Sequence, residues 1–113
     1  RLALITNGLA TVQRPRLEHS GLVGWFDPVV ISEEIGWAKP APEYFDIAFE
    51  RMGRPDRSSA LVIGDSLTSD IGGGAAYGLD TCWFNPAGKP NETVVSPTYE
   101  ISALSELLAI LSS

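Results

Sequence analysis

Cysteine and histidine are nearly absent from this 113-residue chain, which has one of each, Cys82 and His19. A single thiol excludes an internal disulfide and suits a reducing cytoplasm. Cys82 lies in an apolar run, where a thiol packs as a small hydrophobe, and His19 stands among polar neighbours and reads as surface. Cationic residues are also scarce: 8 Lys and Arg against 14 Asp and Glu, a net charge of −6. That balance excludes a nucleic-acid polymer as partner, because phosphate backbones are held by clustered Lys and Arg. A small phosphorylated substrate stays open, since it needs only a local cation or a bound metal. No apolar run approaches the roughly 20 residues of a membrane-spanning helix, so no membrane partner is expected. The opening Arg1-Leu2-Ala3-Leu4-Ile5 has no charged-then-apolar leader. It reads as the start of a buried strand, and further chain is expected upstream of it.

What is present is ordinary globular composition, 44% hydrophobic and 19% charged, enough for one small domain over residues 1–113. Short apolar runs alternate with helix-like segments, the signature of an α/β fold with a mostly parallel sheet and flanking helices. Strands are expected at Leu2–Ile5, Pro28–Ser32, Ala60–Ile63 and Thr81–Phe84. Between the first two, Val12–Ser20 reads as a helix stopped by Gly21. Glu33–Ala41 reads as a loop, with Glu33 and Glu34 in a solvated turn. Pro42 is well placed to open a helix through Met52, whose Phe45, Ala48, Phe49 and Met52 share one face before Gly53. A short helix from about Asp70 to Tyr77 closes at Gly78. A polar loop, Gly88–Pro97, precedes a last helix capped by Ser102, whose Leu104, Leu107, Leu108 and Leu111 form a stripe expected to pack in the core. Trp25 and Trp37 flank loops and are read as packing residues.

Three polar clusters follow strands or loop away from them. In parallel α/β sheets the ligand crevice lies beyond the carboxyl ends of the strands, so the clusters are expected to converge. In Gly64-Asp65-Ser66-Leu67-Thr68-Ser69-Asp70, two carboxylates at a strand exit repel unless a cation sits between them, and hard oxygen ligands of this kind suit Mg²⁺. Taken alone, the same segment reads equally well as a turn at Asp65 and a helix cap at Asp70. Thr6-Asn7-Gly8 offers a hydroxyl and backbone N–H groups to a phosphoryl oxygen, although an ordinary strand-to-helix turn has the same composition. Lys39, in Ala38-Lys39-Pro40, can neutralise anionic oxygens at an otherwise acidic site, while a lone loop lysine is ordinarily solvated surface.

Taken in order, Thr-Asn-Gly after a strand, Phe26-Asp27, Gly36, Lys39-Pro40, Pro42, Phe45, then Gly-Asp-Ser with Asp70, the chain resembles the haloacid-dehalogenase-like (HAD) superfamily. The resemblance covers nearly the whole chain as the C-terminal part of such a core, with motifs II to IV at Thr6, Lys39 and the Asp65–Asp70 pair. Ile5-Thr6-Asn7-Gly8, Val30-Ile31-Ser32-Glu33-Glu34, Ala38-Lys39-Pro40 and Thr81-Cys82-Trp83-Phe84-Asn85 look most like the pyrimidine 5′-nucleotidase branch. The resemblance implies a Rossmann-like core and an Mg²⁺-dependent phosphohydrolase acting on small phosphomonoesters through an aspartyl-phosphate. It implies that Thr6 binds a phosphoryl oxygen with the Asn7 and Gly8 backbone nearby. Lys39 would hold the nucleophile and offset developing charge, and Asp65 would ligate Mg²⁺ with Asp70 in support.

The family's first motif, Asp-x-Asp after an apolar strand, has no counterpart here, and neither does the helical cap that selects substrate. Asp27, Asp46, Asp56 and Asp80 do not follow strands in the required pattern. The 113 residues are therefore expected to be inactive alone. They are also expected to associate with a missing N-terminal half or a strand-exchanged copy, because the family places its first strand at the centre of the sheet. A metal-free dehalogenase, a phosphonate hydrolase or sugar-phosphate mutase, a non-catalytic binding domain and a receiver-like domain are the alternatives. Retention of Thr6, Lys39, Asp65 and Asp70 together favours the phosphatase.

Overall fold

The computed structural model describes residues 3–7 and 29–111, with positions 13, 15, 18 and 19 between them. Gly8, Trp25, Phe26, Asp27 and most of the helix expected over Val12–Ser20 lie outside the described residues. The chain divides into two compact units, Arg1–Pro55 and Asp56–Ser113.

In the first unit, strand β1 (Leu4–Thr6) pairs in parallel with β2 (Val29–Ile31), in the register Leu4–Val29, Ile5–Val30 and Thr6–Ile31. The β-branched Val-Val-Ile run suits a pleated, enclosed strand, and Val30 and Ile31 are fully buried. A one-turn helix, α1 (Ser32–Ile35), follows directly where a loop was expected. It stops at Gly36, whose φ of 77° is the left-handed conformation that lets its N–H bond back to the Ser32 carbonyl at 3.0 Å. Pro42 then begins α2 (Pro42–Arg51), where its missing N–H costs nothing. This helix buries Tyr44, Phe45 and Ala48. Tyr44 and Ala48 pack with Val30, and Ile5 and Ile35 lean on that cluster. Each large side chain so buried contributes about 1.5–3 kcal/mol.

In the second unit, β3 (Leu61–Gly64), β4 (Asp80–Phe84) and β5 (Tyr99–Ile101) form a parallel sheet in that order. Between β3 and β4 the chain makes a π-helical turn, Leu67–Ile71, then α3 (Gly72–Ala76). Helix α3 lies close on the sheet: a Cβ added at Gly74 would fall 2.9 Å from Val62 Cγ2. Arg57 holds the far end of this segment. It donates to the Tyr77 carbonyl at 2.9 Å, with its guanidinium 3.9 Å from the Tyr77 ring centroid. Cys82 is fully buried in β4, as its apolar setting implied. Burial, and secondly the charge of Glu106, push its thiol pKa up.

The C-terminal segment departs from expectation. It is a 3₁₀ turn, Leu104–Glu106, running into α4 (Leu107–Leu111). Glu106 Oε2, and not Ser102, does the capping, accepting from Ser102 N–H at 2.6 Å and Ala103 N–H at 3.1 Å. Leu104 and Leu111 are 59% and 66% exposed, so the leucine stripe is not a core face throughout. The unanticipated β5 supplies Ile101 as the buried anchor instead. Trp37, expected to pack, is 47% exposed, and His19 is on the surface as expected. No helix among the described residues is long and apolar enough to cross a membrane.

Candidate active site

At the carboxyl end of β1 the first unit assembles Thr6, Asn7 and Lys39. The Thr6 N–H donates to the Tyr44 hydroxyl at 2.8 Å, and that hydroxyl donates onward to the Val30 carbonyl at 2.5 Å. Tyr44 thus ties the end of β1 and the middle of β2 to α2 from a fully buried position. Thr6 Oγ1 accepts from Gln13 Nε2 at 3.2 Å, and its own hydrogen is directed at the Asn7 carbonyl at 3.3 Å. A contact that long is exchanged readily for a better acceptor, such as a phosphoryl oxygen.

Asn7 and Lys39, 32 residues apart, form a paired contact. Lys39 N–H donates to Asn7 Oδ1 at 2.9 Å, and Asn7 Nδ2 donates to the Lys39 carbonyl at 3.1 Å. The Lys39–Pro40 peptide is cis. Lys39 is partly buried, and its ammonium donates to the Ile5 carbonyl at 3.3 Å. The lysine is therefore built into the strand end and is not a solvated loop residue. Gly8 lies outside the described residues.

The second unit carries Asp65 and Asp70. Asp65 leaves β3 exposed to solvent, with its carbonyl held by Trp83 Nε1 at 3.1 Å. Asp70 is 7% exposed, and its Oδ2 accepts from Ser66 N–H at 3.3 Å. The reading of Asp70 as a helix cap does not hold, because Ser66 Oγ takes that role by accepting Ser69 N–H at 3.2 Å. Asp70 instead packs directly on Gly64: a Cβ added there would sit 2.5 Å from Asp70 Cγ and 2.6 Å from its Cβ. Only a bare α-carbon lets the carboxylate fold back over the end of β3.

Beside Asp65, a cavity of about 190 Å³ is lined by residues including Trp83, Asn85 and Lys89. Asn85 is buried and repeats the device seen at Asn7. It accepts from Lys89 N–H at 3.0 Å, donates to the Lys89 carbonyl at 2.8 Å, and also reaches Glu100 at 3.0 Å.

Among the described residues no three His, Cys, Asp or Glu side chains cluster as a complete metal cage. Mg²⁺ does not require one, since it binds through one or two carboxylates and keeps waters and phosphate oxygens in its other positions. One exposed and one buried carboxylate within six residues fit that donor set. Gln13, Tyr44, Trp83 and Asn85 were not found from sequence. Only Tyr44 carried a signal, as a tyrosine beside the apolar face of an amphipathic helix, whose hydroxyl needs a partner when buried.

A family model described as haloacid dehalogenase-like hydrolase matches residues 1–78. The HAD-hydrolase YfnB of Bacillus subtilis is 49% identical over 98% of this chain and 47% of its own length. The pyrimidine 5′-nucleotidase YjjG of Escherichia coli is 46% identical over 98% of this chain and 49% of its own. A crystal structure of YfnB bound to magnesium superposes on 99% of this chain and 49% of its own with a TM-score of 0.94. The chain thus spans about half the length of the curated relatives it matches.

Proposed function

Since the chain belongs to the haloacid dehalogenase-like hydrolase family, we propose that it is part of an Mg²⁺-dependent phosphohydrolase of small phosphomonoesters, with nucleoside 5′-monophosphates as the preferred class. The observation that carries the proposal is Lys39, secured by Asn7 at the carboxyl end of the strand that ends in Thr6. A cation and a hydroxyl fixed at one strand end suit a phosphoryl group better than they suit a turn. The nucleotidase preference follows YjjG and a second pyrimidine 5′-nucleotidase, PynA of Streptococcus pneumoniae, 41% identical over 94% of this chain.

In this reading the Thr6 hydroxyl exchanges its long bond to the Asn7 carbonyl for a phosphoryl oxygen, while Gln13 Nε2 continues to donate to Oγ1. The Asn7 and Gly8 backbone N–H groups are proposed to serve the same phosphoryl oxygen. Lys39 offsets the negative charge that grows on the phosphoryl oxygens. Asp65 and Asp70 hold Mg²⁺, which when bound neutralises phosphate charge and orients the substrate. What joins the two half-sites in this reading is family membership.

None of these residues supplies the aspartate nucleophile that an aspartyl-phosphate route requires, so the 113 residues alone are proposed to be inactive. They are read as one partial HAD core in a cytoplasmic enzyme, completed by the rest of its own fold or by a second copy. Strand β3, an edge strand among the described residues with Ile63 38% exposed, suits such completion.

The test is phosphate release from UMP, dUMP and dTMP by the longest natural form of the protein, with Mg²⁺ and with EDTA. Mg²⁺-dependent turnover that falls at least about 100-fold in Lys39→Ala and Asp65→Asn is expected. No hydrolysis of any phosphomonoester would overturn the reading. Magnesium-independent release of halide from 2-haloacids would move the protein to the dehalogenase class.

A further inference from the structure

We propose that the Asn7 side chain is a positioning group for Lys39, not a ligand for the substrate. The proposal rests on the phosphohydrolase reading above and assigns a role within it. Both hydrogen-bonding functions of the Asn7 amide are directed at the backbone of one residue: Oδ1 accepts Lys39 N–H at 2.9 Å and Nδ2 donates to the Lys39 carbonyl at 3.1 Å. A carboxamide has the donor and acceptor spacing of a peptide group, so Asn7 pairs with Lys39 much as a neighbouring strand would.

The geometric consequence is specific. Lys39 lies in a loop with no sheet partner of its own, and its side chain spans about 6 Å with four rotatable bonds. With the peptide groups on both sides of its Cα held by Asn7, the side chain starts from a fixed point. The ammonium then reaches the Ile5 carbonyl at 3.3 Å, one residue before Thr6. Thr6 and Asn7 are adjacent, so a single strand end places both the phosphate-binding hydroxyl and the clamp that aims the cation. Misplacing such a charge by an ångström is enough to cost a large factor in rate. The Asn7 amide is also poorly placed to serve substrate directly, since turning toward a phosphate would break both bonds to Lys39.

Two measurements test this together. Amide hydrogen exchange at Lys39, read in the protein itself, is expected to accelerate roughly ten- to thirtyfold in Asn7→Ala, the effect of losing one or two neutral hydrogen bonds. Asn7→Leu, which keeps the side-chain size but removes both the accepting oxygen and the donating nitrogen, is expected to do the same should Asn7→Ala fail to fold. Unchanged Lys39 exchange in the folded variant overturns the proposal. The second measurement is a double-mutant cycle of Asn7→Ala and Lys39→Ala on phosphate release. Loss of kcat in Asn7→Ala that nearly vanishes in the Lys39→Ala background is expected, with KM little changed. Equal losses in both backgrounds would make Asn7 an independent substrate ligand and overturn the proposal. If the wild-type protein hydrolyses no phosphomonoester, the functional reading fails, and the clamp is decided by hydrogen exchange alone.

Discussion

The Tyr44 hydroxyl is the sharpest place to test how the proposed phosphate-binding half-site is held. Tyr44→Phe keeps the ring, so the packing against Val30 and Ala48 and the edge contact with Phe45 at 5.9 Å between centroids should survive. What disappears is one oxygen that accepts the Thr6 N–H and donates to the Val30 carbonyl. Val30 is fully buried, so its carbonyl loses this bond with no water in reach, at a cost of about 1–3 kcal/mol. Thr6 is only partly buried, and its N–H can be rehydrated, so that loss is nearer 0.5–1.5 kcal/mol. Together the substitution should cost about 2–4 kcal/mol, a large share of the 5–15 kcal/mol typical of a domain. In urea, with a slope of about 1–3 kcal/mol per molar, the midpoint should fall by roughly 1–2 M at unchanged slope. A loss below about 0.5 kcal/mol would mean that β1 and β2 do not depend on the hydroxyl.

Three further substitutions probe other parts of the chain. Gly64→Ala should cost about 1–3 kcal/mol in urea, because the new methyl meets the Asp70 carboxylate. If Asp65 and Asp70 hold Mg²⁺ as proposed, it should also weaken Mg²⁺ binding at least tenfold by calorimetry; unchanged stability and affinity would show that Asp70 moves aside freely. Asn85→Ala, which removes the buried amide between Lys89 and Glu100, should lower stability by about 2–3 kcal/mol. Amide exchange at Lys89 should rise with it, and a protected Lys89 amide would contradict the assignment. Glu106 has its pKa held below the ordinary 4.5, first by the Ala103 N–H and then by that of Ser102. A depressed folded pKa stabilises above the unfolded value and is lost as pH falls through the folded one. Acid titration of stability should therefore be shallower below about pH 4.5 in Glu106→Gln than in wild type, and identical slopes would exclude the cap.

The elements legible from sequence are those whose signal is local. Helix α2 was expected from Pro42 to Met52 and runs Pro42–Arg51, because Pro42, the apolar spacing and Gly53 all act within its own length. Strands β2, β3 and β4 were found to within one or two residues from β-branched and apolar runs. Helix α1 escaped because four residues cannot show a period, and its Glu33 and Glu34 look like any solvated turn. Strand β5 is three residues long, with Glu100 at its centre. The π-helical turn depends on Ile71 N–H reaching back five residues to the Ser66 carbonyl, which no residue pattern announces. Among the candidate residues, Thr6, Asp65 and Asp70 stood out by residue type after strands, and Lys39 by its setting in a loop between small residues and proline. Tyr44 did not, because its hydroxyl acts on Thr6, 38 residues away, and Gln13 did not, because a glutamine six or seven residues after Thr6 and Asn7 has no pattern that marks its contact with them.

The two asparagines show why identical chemistry serves different ends. Each follows a strand of a parallel sheet, where the chain leaves the ladder and its peptide groups lose their regular partners. Each replaces that partner with a side-chain amide directed at the backbone of a lysine. Asn85 is buried, so water cannot substitute for it, and its removal should appear chiefly as lost stability. Asn7 is exposed, so water can satisfy the freed groups at little cost in free energy. Water, however, does not fix a direction. The exposed clamp should therefore matter less to whether the chain folds than to where the Lys39 charge points, which is why its variants call for a positional and kinetic readout and those of Asn85 for a thermodynamic one.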